Sequence, residues 1–178
     1  MTPGIRQLYE KLEMQKKTLL SEVALWSPAQ VHFRPKPSAW SALDVLDHLV
    51  KVEVAVIDAV RSQLPDGNPM TLRDRVGALF ILLVMLSPMR VKVPAAALTV
   101  LPEVMTDDAS GIATHWEQVR GEMGILLRSL QLNQLDRALF RHPVSGWMTM
   151  RQAIAFLSAH LRHHEYQLDR LKYANREI

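Results

Sequence analysis

Near its C-terminus the chain reads Met150-Arg-Gln-Ala-Ile-Ala-Phe-Leu-Ser-Ala-His160-Leu-Arg-His-His164-Glu-Tyr-Gln-Leu-Asp-Arg-Leu171, and the periodicity of this stretch decides the fold. Wound at roughly 100° per residue, it sets Met150, Ala153, Ile154, Leu157, Leu161, Leu168 and Leu171 on one helix face, with His160 and His164 inside the same stripe. Two imidazoles four residues apart on a core-facing stripe can converge on one metal ion, because neutral histidine is a ligand at physiological pH. The same pair can equally be core histidines that satisfy each other or the backbone. A third ligand has to come from another element. His163 falls well off the stripe and is expected to be solvated, or to sit beside the ligands instead of among them.

One buried helix face needs others to cover it, and the chain has the material. Its 178 residues are 48% hydrophobic, which suits a single domain spanning 1–178 with a core that needs no staples. There is no cysteine, so disulfides, cysteine-ligated zinc, iron–sulfur clusters and thiol nucleophiles on the protein are excluded. Any metal must be held by nitrogen and oxygen. The N-terminal residues Met1-Thr-Pro-Gly-Ile-Arg carry no apolar leader, so a cytoplasmic location is expected. A net charge of +3 and a pI near 9.4 are basic, yet Lys and Arg are interspersed with Asp and Glu. That pattern predicts a mixed solvated surface and not a nucleic-acid partner.

Three more long helices can be read upstream. Ile5, Leu8, Leu12, Leu19, Val23 and Trp26 recur at helical spacing over residues 5–26, and Ser27-Pro28 ends that run. A proline-rich linker through Pro35 and Pro37 follows. Ser38 or Ser41 then caps a helix from about Ala42 to Leu64, with His48 at the border of its apolar face. Thr106, Asp107 or Asp108 caps a third, whose face takes Ile112, Trp116, Val119, Met123, Leu126, Leu127 and Leu130. Residues 133–141 hold a short helical turn, His142 to Gly146 make a turn, and Thr149 caps the last helix. No strand-like alternation is visible. The resulting expectation is an all-α four-helix bundle with a long crossover between its second and third helices. That crossover, about 70–105, carries an extra apolar helix, Val76 to Leu86, which is too short to span a bilayer and should be buried on the bundle or on a partner subunit. Pro88, Pro94 and Pro102 make Ser87 to Glu103 an extended, irregular connection.

A His on the second helix and His-x-x-x-His on the fourth resemble the DinB-like superfamily, the DinB/YfiT-like metalloenzymes. The likeness covers nearly the whole chain and rests on three patterns. These are Pro37-Ser-Ala-Trp40-Ser41 leading to His48-Leu49, the turn His142-Pro143 followed by Gly146-Trp-Met-Thr149, and His160-x-x-x-His164 followed by Gln167-Leu168. The resemblance implies that His48, His160 and His164 ligate one divalent metal ion, nickel or zinc (Ni2+ or Zn2+). It also implies a small-molecule substrate, with a low-molecular-weight thiol as cosubstrate of an S-transferase or isomerase. Metal-dependent hydrolysis is the nearest variant, and a non-enzymatic stress-response or small-molecule-binding bundle with a degenerate site is the other class. No catalytic residue beyond the ligands is identified.

Other polar residues receive structural readings. Asp44 either orients His48 or stabilises its helix N-terminus, and the helix dipole favours the second. Trp40 and Trp147 are expected to pack at the bundle ends, Arg120 to snorkel to the surface, and His115 and His142 to be structural or exposed. The apolar 76–86 segment predicts a homodimer. No membrane partner is expected.

Overall fold

In the computed structural model, which describes residues 1–64, 66–87 and 108–174, each long helix begins at a residue chemically suited to start it. Helix α1 (Pro3–Val23) opens on proline, whose missing N–H costs nothing in a first turn. Helix α3 (Ala42–Gln63) opens on a reciprocal box in which Ser41 Oγ accepts from the Asp44 N–H and the Asp44 carboxylate accepts from the Ser41 N–H at 2.7 Å. Helix α4 (Leu72–Leu86) repeats the device with Thr71 and Asp74. Asp108 accepts from the Gly111 N–H at 2.7 Å to start α5 (Ala109–Ser129), and Thr149 exchanges hydrogen bonds with Gln152 to start α6 (Met150–Ala174).

Helices α1, α3, α5 and α6 close a ring in which α1 packs on α5 and α6, and α3 packs on the same two. Their inward faces form one core in which Leu12, Val45, Leu46, Ile112, Trp116, Met123 and Ile154 are fully buried. This is the expected four-helix bundle, and α4 lies outside it against α6. Among the described residues no helix is long and apolar enough to cross a membrane. The extended connection expected for Ser87 to Glu103 lies, beyond Ser87, outside the described residues, as do the alternative caps Thr106 and Asp107.

Three local expectations need correction. Helix α1 stops at Val23 and not at Trp26, because Ser27 and Gln30 form a capping box that starts a separate short helix, α2 (Pro28–His32), where a linker was expected. Only a 3-10 turn at Leu132–Gln134 occupies the place of the helical turn expected over 133–141. It is followed by an antiparallel hairpin of β1 (Ala138–His142) and β2 (Gly146–Thr149), with Gly146 at φ 87°. Ala138, Leu139 and Phe140 are buried in succession, so the alternation that betrays a strand is missing. The hairpin supports α4: the Trp147 N–H donates to Asp74 at 3.0 Å, and a Cβ at Gly77 would overlap the Ser145 carbonyl oxygen.

The third correction concerns Arg120, which is 1% exposed and does not snorkel. It grips Glu53 of α3 through Nε at 2.5 Å and Nη2 at 2.7 Å, and its Nη1 reaches Glu13 of α1 at 2.9 Å. The fully buried Lys16 continues the chain of charges at 3.3 Å from Glu13 and 2.8 Å from Glu117. Lys16 Nζ is poorly directed for hydrogen bonds, so these contacts are ionic in character. The network ties α1, α3 and α5 together with charges that would be costly to bury singly.

Candidate metal centre

His48 sits two turns into α3, at a register set by the Ser41–Asp44 box, and faces α6, which carries His160 and His164 one turn apart on its buried stripe. Packing of α3 on α6 brings the three side chains to one point. His160 Nε2 lies 3.2 Å from His48 Nε2 and 3.1 Å from His164 Nε2, and the three ligand atoms fall within 4.8 Å of one another. Around a tetrahedral ion with metal–nitrogen bonds of ~2.0–2.1 Å, adjacent ligand nitrogens stand about 3.3 Å apart, so the spacing matches that of a tripod. All three imidazoles are at least 93% buried.

Burial also fixes their charge. It pushes His48 down to about 4, with the Lys51 ammonium adding to the effect, and His164 down to about 3, with His48 adding. His160 is held well below its ordinary value by burial first and then by its neighbouring imidazoles. All three are therefore neutral at neutral pH, the form in which histidine binds metals. Gln167 settles the tautomer of one ligand. Its Oε1 is 2.9 Å from His164 Nδ1 and can only accept, so the ring proton sits on Nδ1 and Nε2 presents a bare lone pair to the centre.

Aromatic rings wall the tripod. Trp40, half-buried just before α3, packs on His48 at 4.9 Å between ring centroids and stacks on His164 at 6.1 Å, so it roofs two ligands. Phe156 stacks on His160 at 5.4 Å. Among the described residues no Asp or Glu joins the three histidines.

The remaining polar candidates stand elsewhere. Asp44 accepts from Ser41 and pairs with Arg34 at 2.7 Å, so it caps α3 and does not orient His48. His142 is structural: its Nδ1 accepts the Val144 and Ser145 N–H groups at 3.2 Å, and burial holds it down to about 4. His163 is not solvated: it is 8% exposed, and its ring lies beside the ligand His164 at 5.5 Å between centroids, the second of the two places expected for it. The stripe angle placed it outside the core, and it is outside the bundle's core, but α4 covers that flank. Gln167 and Phe156 complete the site. Gln167 was visible only as part of a motif, one turn after His164, and Phe156 only as one turn before His160.

The sequence profile of the DinB superfamily matches residues 11–168. No significant match was found among curated proteins. Among solved structures the fold is similar to that of YfiT from Bacillus subtilis, described as a probable metal-dependent hydrolase with an unusual four-helix bundle topology. The TM-score is 0.65 and the identity 18%, over 99% of this chain and 89% of that one.

Proposed function

Because this chain belongs to the DinB superfamily and gathers His48, His160 and His164 at one buried point, we propose that it is a metal-dependent enzyme. It holds one divalent ion, nickel or zinc, on these nitrogens and acts on a small molecule in the cytoplasm. The observation that carries the reading is the Gln167–His164 hydrogen bond, which aims an unprotonated Nε2 at its two counterparts. A core pair could use that tautomer, with His160 donating to His164, but His48 Nε2 stands against the same His160 atom at 3.2 Å, and one N–H cannot serve two such partners well whereas one ion serves all three. When bound, such an ion supplies Lewis acidity that lowers the pKa of whatever donor takes its open position.

The residues around the tripod define what the protein itself contributes. Three neutral ligands leave the ion's charge uncompensated, which favours an anionic or readily deprotonated donor. Among the described residues no carboxylate joins the group to act as a general base, and the donor that asks least of the protein is then a thiol, with its ordinary pKa of ~8.5. The chain has no cysteine, so the thiol arrives as a cosubstrate and the reaction is S-transfer or isomerisation. Trp40 and Phe156 exclude water and offer flat apolar walls to the partner molecule. The description of YfiT favours a second reading, in which the donor is water and the reaction hydrolysis.

Elemental analysis of the purified protein tests the common premise, with about one metal ion per chain expected and none in His160→Ala. Conjugation of small thiols to an electrophile, measured beside ester hydrolysis, separates the two chemistries. Absence of stoichiometric metal after loading would leave a degenerate, non-enzymatic bundle.

A further inference from the structure

Helix α4 presents two faces of opposite fate. Asp74, Ala78, Ile81 and Met85 are buried against α6 and the hairpin. Leu72, Val76, Leu79, Leu83 and Leu86 point outward and are between 54% and 78% exposed, with Phe80 beside them at 59%. Buried and exposed faces are both apolar, so the bundle uses only half of what the helix offers.

The outward residues follow one another at intervals of four, three, four and three. A 3.5-residue apolar period is the seam that one helix offers another, a stripe narrower than the broad face with which a helix lies on a bilayer. The stripe is also symmetric about Leu79, with Leu72 and Leu86 each seven residues away. A two-fold axis through Leu79 would therefore set Leu72 against Leu86 of a second copy and Val76 near its Leu83, a self-complementary contact. Within the helix itself, charge also suits the antiparallel arrangement. Arg73 and Arg75 are exposed at the N-terminal end, while the last turn carries no basic residue and bears the negative end of the helix dipole. Antiparallel pairing lays each arginine pair beside the other copy's carbonyl-rich terminus, whereas parallel pairing would oppose arginines to arginines.

Size agrees. Fifteen residues make a rod about 22 Å long, and six large side chains more than half exposed along it exceed the few hundred Å² that monomers ordinarily leave uncovered. With a polar rim this strip supplies the apolar centre of a standard interface, ~800 Å² per partner. We propose that the outer face of α4 is a homodimerisation surface, pairing antiparallel with α4 of a second copy about a two-fold axis at Leu79.

The absence of cysteine gives a clean test, since any disulfide must come from an introduced residue. Wild-type protein at ~50 μM should sediment at twice the 20.2 kDa chain mass. Leu79→Cys should oxidise to a covalent dimer, whereas Met14→Cys, 66% exposed on α1, should not. Phe80→Glu with Leu83→Glu should halve the mass while leaving helical circular dichroism and metal content unchanged. A monomeric wild type, or cross-linking of Leu79→Cys no faster than of Met14→Cys, overturns the proposal. So does a monomer that binds anionic phospholipid vesicles through α4, which would make the face a membrane contact.

Discussion

His164 Nδ1 and Gln167 Oε1 lie 2.9 Å apart on successive turns of α6, and this bond decides which nitrogen of His164 faces the other two histidines. Replacing Gln167 by Leu removes the acceptor and frees the ring to change tautomer or rotate. The expected result is a loss of metal affinity of about 10–100-fold with stoichiometry retained at high metal, measured by competition with a chelator. Unchanged affinity would show that the bond does not orient the ligand.

The four histidines of this region should separate by function. His48→Ala, His160→Ala and His164→Ala each remove one arm of the tripod and should abolish stoichiometric binding. His163→Ala should keep the metal but lower stability by about 1–2 kcal/mol, because it removes a buried ring and leaves a void beside His164. Metal titration and urea unfolding read the two effects independently. Loss of metal from His163→Ala would contradict the assignment.

The sequence made some of this legible and hid the rest for identifiable reasons. Caps are local chemistry, so Thr149 could be read in place, and Ser41 and Asp108 as one of two and one of three neighbouring candidates. His48, His160 and His164 were legible through helical spacing joined to a family pattern. Arg120 follows Trp116 by one turn and so pointed inward, but its partners Glu13 and Glu53 stand 107 and 67 residues away, beyond any local pattern. The hairpin was hidden because three successive buried residues erase the alternation of β1. The two places open to His163, in solvent or beside the ligands, could not be told apart because helical angle alone cannot say that α4 would come to lie on that side of α6.

Arg120 is the keystone of the buried charges, and its removal should be severe. Arg120→Met leaves Glu53, 3% exposed, without its counter-ion, at an expected cost of about 3–5 kcal/mol in urea unfolding. Adding Glu53→Leu should recover most of the loss, since no charge is then stranded. If the double variant is as unstable as the single one, packing and not charge governs the site.

Stability of the metal-free protein should fall as the pH drops below about 6.5. In the unfolded chain the histidines protonate near 6.5, but folded His48 and His164 resist until about 4 and about 3 because of burial. Between these limits the unfolded state binds more protons, so each histidine removes up to about 1.4 kcal/mol per pH unit. Above 6.5 neither state is protonated and the contribution is flat. Urea midpoints at pH 7.5, 6 and 5 check this, and equal midpoints across that series would contradict it.

The ligand set also has an order in time. His160 and His164 are neighbours in any helical fragment, whereas His48 stands 112 residues before His160 and joins them only when α3 docks on α6. Closing so long a loop is slow compared with forming a single helix. Two nitrogens of a nascent α6 can compete only weakly for an ion, and the third becomes available as the last contacts of high sequence separation are made. Tight uptake of metal is therefore a report that α3 and α6 have found each other, and the rate of that uptake during refolding measures chain closure more than it measures chemistry at the ion.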